Sequence, residues 1–331
     1  MTNVELRELN ARIEGETGFL TDIREGMRRR IMGQERLTEL LLTGLLSGGH
    51  ILLEGVPGLA KTLAVKTLSA LIDGQFSRIQ FTPDLLPADL IGTIVYSQHE
   101  EAFHTKKGPV FANFILADEI NRAPAKVQSA LLEAMEEHQV TIGEETFPLP
   151  QPFLVLATQN PIDQEGTYAL PEAQVDRFML KAIVTYPAKN DELSIIRSHL
   201  SGKIKESISP IVTLSDIRHA QEVVADIYLD DSIAYYITDL VDATRHPAEY
   251  GLADLERYIA FGGSPRASIN LALAARTTAF LHRRGYVVPE DVHEVAHEVI
   301  RHRIGLTYEA EADSVTGDTI IAEIINKVKV P

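Results

Sequence analysis

The stretch Ile51-Leu52-Leu53-Glu54-Gly55-Val56-Pro57-Gly58-Leu59-Ala60-Lys61-Thr62-Leu63 decides the fold. Its apolar start predicts a buried strand, and residues 63–71 suit a helix. Strand, glycine-rich loop, Lys-Thr, then helix is the setting of a phosphate-binding P-loop. In such a loop, backbone N–H groups from Gly55 onward cradle phosphates, Lys61 reaches the β- and γ-phosphates, and the Thr62 hydroxyl can bind Mg²⁺. The strict pattern places glycine before the lysine, whereas this chain has Ala60. That adds a methyl group where backbone and phosphate come close.

Downstream, Phe114-Ile115-Leu116-Ala117 reads as a buried strand that delivers two adjacent carboxylates, Asp118 and Glu119. Behind a P-loop, Asp118 can hold the metal ion, usually through water, and Glu119 can orient or deprotonate the attacking water. Alone, the pair would be two solvated acids at a strand end. A third strand, Phe153 to Thr158, ends in Gln159-Asn160-Pro161. Asn160 there can hold the water or merely start a turn. Arg177, before Phe178-Met179-Leu180, reads either as a salt-bridged helix-end residue or as an arginine finger serving a neighbour's γ-phosphate. Arg266 follows Gly262-Gly263-Ser264-Pro265 in the first turn of a predicted helix, where positive charge opposes the helix dipole and hints at an outside anion.

Residues 3–30 have a loose helical period, then short apolar runs alternate with helical segments over residues 50–185. Runs at Ile51–Leu53, Phe76–Phe81, Phe114–Ala117, Phe153–Thr158 and Lys181–Tyr186, without polar alternation, predict a parallel sheet covered by helices. After Pro187 the strand-type runs stop, and helix starts are expected at Ser215, Ser264-Pro265 and Pro289-Glu290-Asp291. The expected division is an N-terminal helical segment (1–30), an α/β nucleotide-binding domain (31–188) and a smaller all-α lid (189–331). Asp84–Phe111 reads as an insertion with a small hairpin, and His138–Pro150 as a second hairpin turned at Gly143-Glu144.

Across 331 residues, 31 Lys and Arg stand against 47 Asp and Glu, a formal charge of -16. Such a surface repels phosphate backbones, which argues against nucleic acid as partner. The run Arg28-Arg29-Arg30 reads as a solvated helix face. The absence of cysteine excludes disulfides and thiolate metal sites. The polar, acidic start of the chain and the lack of any long apolar run predict no membrane span and a cytoplasmic protein.

These motifs, in this order, resemble the AAA+ ATPases and specifically the MoxR family. The resemblance rests on Gly55–Thr62, Asp118-Glu119-Ile120-Asn121-Arg122-Ala123, Ala157–Pro161, Val175-Asp176-Arg177-Phe178 and Ser264-Pro265-Arg266, and covers residues 30–305. It implies a P-loop α/β domain with a helical lid, using ATP and Mg²⁺. The family accepts alanine before the P-loop lysine. By resemblance Asn160 matches sensor 1, Arg177 the trans arginine finger (with Arg197 as a rival) and Arg266 sensor 2. Ile31-Met32-Gly33-Gln34 matches the segment against adenine. The two hairpin regions match the helix-2 insert and the pre-sensor-1 hairpin. The resemblance further implies a hexameric ring, a von Willebrand factor A-domain partner and a protein client matured in a chaperone-like way.

Three rival readings remain at this level. His293-Glu294-Val295-Ala296-His297 spells H-E-x-x-H, the spacing of a zinc peptidase, on a helix whose Val292, Val295, Ala296 and Val299 form an ordinary packing face. A DNA motor with similar inserts is opposed by the acidic balance. A nucleotide-gated binding module is opposed by the intact Asp118-Glu119 pair.

Overall fold

The computed structural model describes residues 3–55, 58–160, 168, 170–200 and 208–331. Val56, Pro57 and Pro161, all part of the motifs above, lie outside the described residues. The chain forms two compact units, one of residues 21–178 with 182–218, the other of residues 1–20, 179–181 and 219–331. Of the stretch after Pro187, the described residues 189–200 and 208–218 fall in the first of these units.

A five-stranded sheet comprises β1 (Ile51–Glu54), β2 (Phe76–Gln80), β5 (Phe114–Asp118), β8 (Leu154–Gln159) and β9 (Leu180–Ile183), in the order β2-β5-β8-β1-β9. The pairs β2/β5, β5/β8 and β8/β1 are parallel. Ile51, Leu52, Leu53 and Phe114 to Ala117 are fully buried, as the unalternated apolar runs required of strands covered on both faces. Helices α3 (Glu35–Leu46), α4 (Lys61–Leu71), α6 (Ala125–Glu137), α7 (Glu172–Val175) and α8 (Lys189–Leu200) accompany them.

The expected insertion is present as α5 (Pro87–Ile91) and an antiparallel hairpin of β3 (Gly92–Ser97) and β4 (Ala102–Lys107). The second hairpin pairs β6 (Gln139–Ile142) with β7 (Glu145–Pro148). Lys107 Nζ lies over the rings of Phe111 and Phe147, at 4.8 and 5.0 Å, joining the insertion to this second hairpin. The helical start of the chain comprises two helices, α1 (Asn3–Glu16) and α2 (Gly18–Arg30), with buried Thr17 between them. Arg28, Arg29 and Arg30 close α2, with Arg29 paired to Glu25.

Helix α9 (Leu214–Ala225) leads into the second unit, which contains α10 (Asp231–Asp242), α11 (Pro265–Leu281), α12 (Pro289–Ile300), α13 (Tyr308–Ala312) and α14 (Gly317–Lys327). The expected start at Ser264-Pro265 is visible as a cap, the Ser264 hydroxyl accepting from the Arg266 N–H; α14, not marked in the sequence, is capped by Thr316, whose hydroxyl accepts from the Thr319 N–H. Wholly buried Asp291 accepts from Val288 N–H at the head of α12 and from Arg284. The lid is helical, with one short antiparallel ribbon added, β10 (Ile259–Phe261) against β11 (Gly305–Leu306).

Candidate functional site

The P-loop residues sit between the end of β1 and the start of α4. Gly55 is packed so closely that a Cβ there would lie 2.6 Å from the Val184 carbonyl oxygen, so no side chain fits. Ala60 has φ 57° and ψ 18°, the left-handed region, and stands at the N-cap of α4 without any side-chain cap bond. The glycine preference at this position therefore has a second cause besides phosphate clearance: the backbone conformation itself. An uncapped first turn leaves N–H groups pointing out of the helix end, the arrangement that accepts a phosphate. Lys61 Nζ donates to the Gly55 carbonyl at 2.6 Å, which folds the lysine back over the loop. Burial lowers the Lys61 pKa, while Asp118, Glu119 and Glu54 pull it back up. These three acids place Lys61 and the end of β5 within one electrostatic neighbourhood.

At the end of β5, Thr158 from β8 ties the Asp118 carboxylate to the Glu119 backbone. Its hydroxyl donates to Asp118 Oδ1 at 2.7 Å and accepts from the Glu119 N–H at 2.8 Å. Glu119 is left-handed, with φ 56° and ψ 52°, and turns the chain into a short 3₁₀ helix over Ile120–Arg122. Its Oε2 accepts from Arg122 Nη1 at 2.9 Å and from Gln80 Nε2 at 3.2 Å. Arg78 of β2 donates to Asp118 Oδ2 from Nη2 at 2.6 Å and from Nε at 3.2 Å. The donor set fits Mg²⁺ chemically, since Thr62 and Asp118 offer the hard oxygen ligands this ion takes.

Elsewhere, Gly33 has φ 71°, with a Cβ position only 2.8 Å from Asp191, and Gln34 Nε2 donates to the Thr185 carbonyl. Asn160 follows the tip of β8 and is half-buried. Arg177 pairs with Glu136 of α6 at 3.2 Å. Arg266 lies in the first turn of α11, in the helical unit. The H-E-x-x-H residues lie on α12, but His293 meets the Tyr236 hydroxyl at 2.6 Å and His297 meets Asp318 at 2.9 Å. Among the described residues no group of three or more His, Asp or Glu side chains is placed to hold a metal ion.

Sequence reading gave no role to Thr158, Arg78, Gln80 or Arg122. The signal for the β2 pair was faint: residues two apart on a strand share a face, and Gln80 stands in register with Asp118. Thr158 required the strand order, which places β8 beside β5.

A parallel sheet with a P-loop after one strand, an acid pair after another and a helical lid defines an AAA-type ATPase. The family model for the "ATPase family associated with various cellular activities (AAA)" matches residues 50–180, and that for the AAA lid domain matches residues 253–324. Chaperone MoxR1 of Mycobacterium tuberculosis is 51% identical, over 92% of this chain and 80% of that protein. Protein MoxR of Paracoccus denitrificans is 33% identical, over 84% of this chain and 86% of that one. The crystal structure of a Cytophaga hutchinsonii protein proposed to be an ATPase matches with a TM-score of 0.93 and 50% identity, covering 99% of this chain and 100% of that chain. The chain belongs to the MoxR family of AAA+ ATPases, and its activity is ATP hydrolysis. No helix among the described residues is long and apolar enough to cross a membrane.

Proposed function

We propose that this chain couples Mg²⁺-dependent ATP hydrolysis to chaperone-like remodelling or maturation of partner proteins. It does so in the cytoplasm as a homo-oligomeric ring, hexameric by family resemblance, alongside a von Willebrand factor A-domain partner. The functional division runs at residues 30 and 188, with the nucleotide bound in the α/β domain and its state relayed by the lid. In this reading Gly33 and Gln34 lie against adenine, while residues 55–63 and Lys61 hold the phosphates. Thr62 and Asp118 hold Mg²⁺, which supplies positive charge against the β- and γ-phosphates. Glu119 takes the proton of the attacking water, and Asn160 orients that water. Arg266 senses nucleotide from the lid. Arg177 leaves Glu136 to serve the neighbour's γ-phosphate.

The observation that carries this reading is the bridge by Thr158, which holds Asp118 and the Glu119 backbone through one hydroxyl, in the electrostatic neighbourhood of Lys61. The test is Glu119→Gln. Hydrolysis should fall by about 10²–10⁴-fold, the usual contribution of a positioned general base, while ATP binding persists. Unchanged turnover would remove Glu119 from that role. The same variant, trapped with ATP, should retain a protein client, and recovery of DNA-processing proteins alone would overturn the chaperone assignment.

A further inference from the structure

The mechanism above leaves Arg78 without a task, yet it makes the closest side-chain contact to the acid pair from outside β5 and β8. Both of its bonds to Asp118 fall on one oxygen, Oδ2, because Thr158 already holds Oδ1. The same Nη2 donates to Gln80 Oε1 at 3.2 Å, and the Gln80 amide donates to Glu119 Oε2. Arg78 and Gln80 project from the same face of edge strand β2, two residues apart. Arg78 is half exposed while Asp118 is only 17% exposed, so the guanidinium caps an otherwise sheltered carboxylate from the solvent side. A guanidinium is charged at every physiological pH and forms directional bonds to a carboxylate.

We propose that Arg78 is a place-holding cation for Asp118, which a divalent metal ion must displace when it loads with nucleotide. This inference rests on the assignment of Asp118 to the metal site. Oδ2 already accepts two guanidinium bonds, so a divalent ion or its water can use that oxygen only if the guanidinium gives way. Metal loading through Oδ2 and the Arg78–Asp118 contact therefore compete, and each opposes the other by the same factor. Departure of the guanidinium also removes an anchor from Gln80, which together with Arg122 holds the Glu119 carboxylate. Arg78 is a positioning residue in this scheme.

The measurement is Mn²⁺ affinity by electron paramagnetic resonance in the presence of ADP, for wild type, Arg78→Gln, Arg78→Lys and Asp118→Asn, with thermal unfolding confirming that each is folded. Loss of the competing cation should tighten Mn²⁺ binding in Arg78→Gln by about fivefold, the scale of a partly exposed ion pair. Arg78→Lys should stay near wild type, and Asp118→Asn should weaken Mn²⁺ binding. Unchanged or weakened Mn²⁺ affinity in Arg78→Gln, with Asp118→Asn weakened, would overturn the place-holder alone. Unchanged affinity in Asp118→Asn would overturn the metal assignment of Asp118 and the place-holder with it. ADP affinity without metal should be the same in Arg78→Gln as in wild type. Its loss would show that the guanidinium serves the phosphates, and would also overturn the proposal.

Discussion

The loop at Gly55–Thr62 and the helical turn at His293–His297 both match short catalytic patterns, and the fold treats them in opposite ways. Around the first, side chains from separate strands converge: Lys61 feels Asp118, Glu119 and Glu54, and Thr158 ties the Asp118 carboxylate to the Glu119 backbone. Around the second, neighbouring elements draw the residues apart, His293 to Tyr236 on α10, His297 to Asp318 on α14 and Glu294 to His282. A motif becomes a site only when groups distant in sequence are delivered to the same point.

That contrast breaks most sharply in activity. Lys61→Ala should lower ATP hydrolysis by roughly 10²-fold or more, the scale of losing one preorganised charge partner in an active site. In the same assay His293→Ala and His297→Ala should remain within about twofold of wild type and cost only the order of 1 kcal/mol in stability through a lost hydrogen bond. Loss of hydrolysis in either histidine variant would erase the distinction.

A second test separates the units by pH. His50, at the foot of β1, is buried, and burial pushes its pKa from 6.5 down to about 4, with His138 adding to the effect and the Met135 carbonyl opposing it. Its ring accepts from the Val155 N–H on β8 and donates to the Met135 carbonyl, which requires the neutral form. The unfolded chain binds the proton more readily, so this stability is fully present above pH 6.5 and is lost as pH falls towards the folded value. The loss approaches about 3 kcal/mol, from roughly 1.4 kcal/mol per pKa unit. Hydrogen exchange at pH 7 and at about pH 4.5 should show β1 and β8 amides losing protection, and His50→Gln should flatten that dependence. Equal loss in wild type and variant would discard His50 as the origin.

The smallest expected effect lies in the loop itself. Ala60→Gly relieves a left-handed alanine but loosens the unfolded chain, leaving a net gain of up to about 1 kcal/mol. A loss of stability on this substitution, read from thermal unfolding, would show that the methyl group contributes packing that outweighs the strain.

Much of the fold was legible because it is local. The strands announced themselves as short apolar runs, and both hairpins lie within the stretches marked for them. The helix starts at 264–265 and 289–291 followed from Ser and Pro placement. The break at Thr17 and the β10/β11 ribbon escaped notice because each depends on what the segment packs against, not on its own period. Lys61, Asp118 and Glu119 were readable as motif members. Arg78 and Gln80 were not, since an arginine and a glutamine on an edge strand look like ordinary solvent-facing residues until the register places Gln80 opposite Asp118.

By itself the sequence determined the phosphate loop, the acid pair, the α/β-then-helical order and the family, because these reside in residue type and short spacing. Only the tertiary structure decided that β8, last of these three strands in the chain, inserts between β1 and β5. That insertion puts Thr158 against both acids. Tertiary packing likewise brought Glu136 to Arg177, Tyr236 to His293 and Asp318 to His297. Strand order and helix packing are set by burial summed over the whole core, a quantity no local window contains.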